Sequence, residues 1–147
     1  MAQDGATSIM AELYYEDPRA ALEWLAAAFG CVTRLLVADD GGQLVYAETG
    51  WGDCLVAVVP QQPGQQRSPL SAGGINTQCM RIVLHDDIDA HCSTARAAGA
   101  LIVQEPTLHF FGDRTYVVTD LEGHYWKFAQ RIAGAATPPP AAWTVSD

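Results

Sequence analysis

Two stretches of this sequence gather residue types that do chemistry. The first places His85, Asp87 and His91 within seven residues, HDDIDAH, which has the donor types of a metal site. The second, Asp120-Leu121-Glu122-Gly123-His124, brings two carboxylates and an imidazole together for acid–base work. Neither is complete as a device. No serine or cysteine nucleophile is specified beside His124, and Gly123 reads as a turn residue. In HDDIDAH, Asp86 or Asp87 reads equally as a helix cap whose acids complement the N-terminal dipole. His91, four residues after Asp87, then forms an ordinary surface pair. Cys31, Cys54, Cys79 and Cys92 show no CxxC spacing and read as reduced, buried thiols. There is no glycine-rich phosphate loop and no dinucleotide fingerprint.

The elements that must position these residues are written twice. Residues 17–30, DPRAALEWLAAAFG, and 86–99, DDIDAHCSTARAAG, both run from an aspartate to a glycine, at an offset of 86 − 17 = 69. Each has alanine-rich helical composition, an acidic cap and a closing glycine that stops the helix. A strand-like run precedes each helix, at 8–15 and 78–85, and three follow it, at 31–38, 43–49 and 53–59, then 100–106, 113–119 and 124–130. DDGG, GWG, FGD and DLEG supply the turns between them. The chain is therefore expected to be one α+β domain over residues 1–132, made of two βαβββ modules at 8–59 and 78–131. The Pro-, Gly- and Gln-rich stretch 60–77 is the linker, and 133–147 is an irregular tail in which Trp143 is free to dock.

Composition excludes several partners. Of 147 residues, 49% are hydrophobic and 17% charged, which suits a packed core. Eight basic against seventeen acidic residues leave a net charge of −9, so neither nucleic acid nor an anionic membrane surface is an expected partner. No apolar run approaches the ~20 residues of a membrane span, and MAQDGATS lacks the basic start of a secretory signal. A cytoplasmic location is expected.

The βαβββ duplication, the helix D-x-x-x-A-x-x-W-L-x-x-x-F-G (17–30) and the ending FGDRTYVVTDLEGHYWKFAQ (111–130) resemble the vicinal-oxygen-chelate superfamily. This is the group of glyoxalases, bleomycin-resistance proteins and extradiol dioxygenases, and the likeness is to its small, PhnB-like or bleomycin-resistance-like members. The resemblance implies two curved mixed sheets closing around a cleft, within one chain or between two, and a homodimer. Metal-using members place four His, Glu or Gln ligands on the first and last strands of the modules. The corresponding positions here read Met10, Val56, Cys79 and Lys127, so no metal and no other cofactor is expected.

Strand alternation puts Ile9, Ala11, Leu13 and Tyr15 against the helix and Met10, Glu12 and Tyr14 in the cleft. Adding 69 maps Glu12 onto Arg81, so the two are expected to meet inside, as an ion pair, a ligand clamp, or with Glu12 as a general base. Lys127 replaces a metal's charge, grips an anion or pairs with Glu12. His109, Phe110 and Phe111 form a stacking wall or a dimer seam, with Trp51 at the equivalent turn. The expected ligand-binding set is Met10, Glu12, Tyr14, Trp51, Cys79, Arg81, His109, Phe111 and Lys127. Trp24, Phe29, Trp126 and Phe128 are assigned to the core. The functional expectation is metal-independent binding of a small, largely apolar or aromatic molecule in the inter-module cleft. The alternative is a glyoxalase-type lyase or isomerase, metal-assisted or using Glu12.

Overall fold

Asp17 begins the first helix as a cap, its carboxylate accepting from Ala20 N at 3.1 Å, and Pro18 fills the first turn, where its missing N–H is harmless. The computed structural model, which describes residues 5–147, places helix α1 at Pro18–Phe29 and ends it on Gly30 at φ 74°. That left-handed conformation is open to glycine at little cost. Asp87 caps α2, Ile88–Ala97, in the same way, accepting from Asp89 N and Ala90 N.

Strands β1 (Glu12–Tyr15), β2 (Val32–Ala38), β3 (Leu44–Trp51) and β4 (Cys54–Pro60) complete the first module. Strands β5 (Cys79–Leu84), β6 (Leu101–Leu108), β7 (Asp113–Thr119) and β8 (Tyr125–Arg131) complete the second. The sheets are ordered β1-β4-β3-β2 and β5-β8-β7-β6, the first pair in each parallel and the others antiparallel. This is the duplicated βαβββ architecture.

Two details differ from expectation. Residues 5–11 form no strand, and Ile9 is 95% exposed instead of packed on α1, because pairing with β4 in register begins at Glu12. The linker is more ordered than its composition suggests. It holds a one-turn 3-10 helix, Pro69–Ser71, and a fully buried Ser68.

Both modules bury their helix-bearing sides in one shared core. Leu25, Ala28 and Phe29 of α1 and Cys92 and Ala95 of α2 join Leu13, Tyr15, Val58, Tyr116, Trp126 and Phe128. Phe29 lies 5.3 Å from Trp126 and 4.8 Å from Phe128 between ring centroids, so one helix end touches the other module's sheet. Trp24 donates its indole N–H to the Ala98 carbonyl at 3.0 Å. The opposite sides of the two sheets carry no helix and stay open.

Candidate functional site

The register decides which side chains share the open faces. Glu12 pairs with Ala57, Ala57 with Glu48, and Glu48 with Leu35. Since neighbours in a row point the same way and Leu13 and Val58 lie in the core, this row faces outward. Tyr14 and Tyr46 lie on the same side, one row away from it. Tyr46 donates to Glu48 at 2.7 Å, a bond that pushes its phenol up to about 12, and its hydroxyl lies 3.8 Å from the Met10 sulfur. The equivalent row of the second sheet is Arg81, Lys127, Val117 and Gln104, flanked by Cys79 and Tyr125.

This corrects the sequence alignment by one residue. Ala57, and not Val56, stands where Lys127 stands in the second module, while Val56 is buried in the core. Glu12 and Arg81 hold equivalent places as expected, but they do not meet. Arg81 instead bridges to Asp113 at 2.7 Å, and Arg131 reaches the other oxygen of that buried carboxylate at 3.1 Å. Glu12 and Lys127 form no ion pair with each other within the chain.

The implied metal fails on donor chemistry. The corrected positions, Met10, Ala57, Cys79 and Lys127, offer a thioether, a methyl, a thiol and an ammonium. Among the described residues no group of three or more His, Cys, Asp or Glu side chains is placed to hold an ion. HDDIDAH is dispersed by its helix: Asp87 caps α2 and Asp89 takes a two-pronged bond from Arg114. His91 is not on the surface. Its ring packs 4.4 Å from Phe128 and 6.1 Å from Phe29 between centroids, and Nδ1 is 2.6 Å from the Tyr116 hydroxyl. Nε2 is buried without a well-formed hydrogen bond, and the Phe29 carbonyl is taken by the Trp51 indole. Burial lowers the His91 pKa.

The Asp120–His124 turn is a clasp between modules. Asp120 accepts from the Tyr15 hydroxyl at 2.6 Å, Trp126 Nε1 at 3.1 Å, and the amides of Glu122 and His124. Glu122 accepts the amides of Glu16 and Asp17, at the start of α1, and the Ser68 hydroxyl of the linker. His124 Nε2 lies 2.8 Å from the Tyr14 carbonyl and its ring packs on Tyr15. With every acceptor engaged, these carboxylates hold the two modules together.

The remaining expected residues divide. Trp51 sits on the helix-bearing side, its ring 6.5 Å from Trp126 and 6.0 Å from Phe128, so it belongs to the shared core and not to an open face. His109 stacks on Phe111 at 5.1 Å and touches Thr115 at 2.8 Å, beyond the end of β6. Phe110 meets Phe111 and, at 5.8 Å, Trp143 of the tail. Cys31 and Cys92 are buried as expected, whereas Cys54 and Cys79 are exposed.

A half-open pocket lies at the module seam. A cavity of about 250 Å³ is walled by Glu12 and Tyr14 of β1, Met80 of β5, Tyr125 of β8, and Arg67 and Ile75 of the linker. The linker residues were missed from the sequence, because composition marks a linker without saying what it closes over.

A family model described as Glyoxalase/Bleomycin resistance protein/Dioxygenase superfamily matches residues 8–128. The chain belongs to that superfamily. An uncharacterised protein of Mycobacterium bovis is 30% identical over 136 residues, 90% of this chain and 88% of that protein. The solved structure of TioX from Micromonospora sp. ML1 is similar with a TM-score of 0.67 and 32% identity, covering 90% of this chain and all of that one. A glyoxalase/bleomycin resistance protein/dioxygenase from Nocardioides has a TM-score of 0.59 at 15% identity, over 92% and 91% of the chains, a likeness of fold. Superfamily members share an architecture, and their activities are set by the side chains at their sites.

Proposed function

We propose that this superfamily member binds a small, largely apolar or aromatic molecule in the cavity between its modules, without a metal. The observation that carries this reading is the seam cavity itself. Two tyrosines, Tyr14 and Tyr125, with Met80 and Ile75, supply the apolar part of a space of about 250 Å³ and suit a planar body, while Gln66, Asn76 and Gln78 line the rest with polar groups. Glu12 adds one carboxylate to the lining and Arg67 one guanidinium, which donates to the Ser71 carbonyl. With a net charge of −9 around it, the cavity favours a neutral or cationic ligand. Glu12 is solvent-exposed and its carboxylate has no hydrogen-bonded partner among the described residues to relay a proton, which favours binding over acid–base catalysis. A cytoplasmic location accords with four free cysteines. Among the described residues, no helix is long and apolar enough to cross a membrane.

The test is saturation-transfer NMR with 1-naphthylmethylamine and 1-naphthalenemethanol as probes. Saturable binding of both is expected, weakened by Tyr125→Ala, with the amine favoured and that preference lost in Glu12→Gln. Absence of saturable binding, or indifference to Tyr125→Ala, would overturn the reading. So would stoichiometric Ni, Zn, Mn or Fe held by nitrogen and oxygen ligands in the purified protein.

A further inference from the structure

One edge of the first sheet runs along the seam pocket. In the order β1-β4-β3-β2, strand β1 has a partner on one side only. Its parallel ladder with β4 uses alternate residues. The Ala11 carbonyl accepts from Ala57 N and the Tyr15 carbonyl from Gln61 N, both at 2.9 Å, with Leu13 in phase between them. The backbone groups of Glu12 and Tyr14 therefore point away from β4, and both residues line the pocket. His124 shows the same direction, since its Nε2 lies 2.8 Å from the Tyr14 carbonyl.

Three backbone groups are left on this edge: the Glu12 N–H, the Glu12 carbonyl and the Tyr14 N–H. Among the described residues none of the three has a hydrogen-bond partner. Their directions are fixed by the ladder behind them. A half-open pocket lets water serve them. A purely apolar molecule pressed against the edge strips that water and returns nothing, which costs affinity. A ligand that presents one donor and one acceptor to the edge avoids that loss.

We infer that the ligand of this pocket carries an amide unit that binds as one extended residue beside β1. The inference rests on the seam-pocket reading and specifies the ligand further, as a planar body joined to an acylated amino-acid amide. The unit's N–H donates to the Glu12 carbonyl and its C=O accepts from the Tyr14 N–H, as in a parallel ladder. Because His124 holds the Tyr14 carbonyl, the edge is open for one such residue and closed to a longer strand. In that register the unit stands opposite Leu13, so the group next to it falls on the side of Glu12 and Tyr14. A planar body carried there lies toward Tyr14 and Tyr125. The polar lining of Gln66, Asn76 and Gln78 suits a peptide-like molecule better than a hydrocarbon.

The experiment titrates 1-naphthylacetyl-glycine methylamide into the nitrogen-15-labelled protein and follows amide resonances. Its sarcosine analogue, its dimethylamide and 1-naphthalenemethanol are titrated beside it. The methylamide is expected to bind roughly tenfold or more tightly than 1-naphthalenemethanol, and to move the Tyr14 amide proton downfield. The sarcosine analogue lacks the N–H aimed at Glu12 and should bind on the order of tenfold more weakly. The dimethylamide lacks only the N–H turned away from β1 and should bind as the methylamide does. Equal binding of the methylamide and its sarcosine analogue overturns the inference. So does an unmoved Tyr14 amide, or a dimethylamide weakened as much as the sarcosine analogue. If 1-naphthalenemethanol still binds saturably in those cases, the pocket reading stands without the amide. If no naphthyl probe binds, both fall together.

Discussion

The Tyr15 hydroxyl donates to Asp120 Oδ2 at 2.6 Å, a bond that joins residues 105 apart in sequence and the two modules in space. Both groups are buried, and burial, together with the Asp120 carboxylate, raises the tyrosine pKa well above its ordinary value. A hydrogen bond to a charged acceptor contributes roughly 1.5–3 kcal/mol. Tyr15→Phe should therefore lower unfolding free energy by about that amount in urea titration. Asp120→Ala should lower it further, since four donors then lose their acceptor.

Glu122 makes a second such prediction. It holds the amides of Glu16 and Asp17 and the hydroxyl of Ser68 at once. Glu122→Ala leaves three buried or half-buried donors unpaired and should destabilise by at least ~2–3 kcal/mol. Ser68→Ala removes two bonds, its donation to Glu122 and its acceptance from Leu70 N, but leaves Glu122 on both amides of α1, and should cost nearer ~1–2 kcal/mol. Hydrogen exchange at the first turn of α1 should accelerate in the Glu122 variant and change little in the Ser68 variant.

His91 gives the fold an acid sensitivity whose sign follows from its burial. Its pKa is lowered in the folded chain, so below the ordinary imidazole value near 6.5 the unfolded chain takes up a proton before the folded one. The stability contributed is complete above about pH 6.5 and is lost as pH falls through the lowered folded value. Urea midpoints at pH 7.5 and 5.5 should differ more for the wild type than for His91→Gln. An equal drop in both would show that the carboxylates alone carry the effect.

Gly50 is required by close approach. A methyl group there would lie 2.0 Å from the Cys54 carbonyl oxygen, across the β3–β4 hairpin. Gly50→Ala should open that hairpin and lose folded protein. By contrast, Gly42→Ala meets no atom within 4 Å and carries only the strain of its φ of 81°, roughly 1 kcal/mol. Soluble yield and melting temperature separate the two.

The cysteines supply a surface check. Burial pushes the Cys31 thiol up to about 12 and also raises Cys92, so both should resist a thiol reagent until the chain unfolds. Cys54 and Cys79 should react in the native protein.

Much of this fold was legible in the residues in order. Caps, closing glycines and strand alternation are local, and a repeat at an offset of 69 doubles each signal, so the two modules could be read directly. Leu13 and Tyr15 inside, Trp126 and Phe128 buried, and Lys127 on the open face all follow from period two. Alternation alone does not set register between strands, which is why Val56 stood in for Ala57 until the pairing of β1 with β4 was seen. Nor does it say what meets across the chain. Arg81 took Asp113 over Glu12, His91 was drawn under Phe29, and an apparent acid–base turn became a clasp on Tyr15 and the start of α1. Each of those partners lies tens of residues away: the sheet of the second module brings Asp113 to Arg81, and the packing of the two modules through their helices brings the others within reach. Element and periodicity are written in neighbouring residues, whereas the occupant of a carboxylate is decided by which surfaces fold against each other.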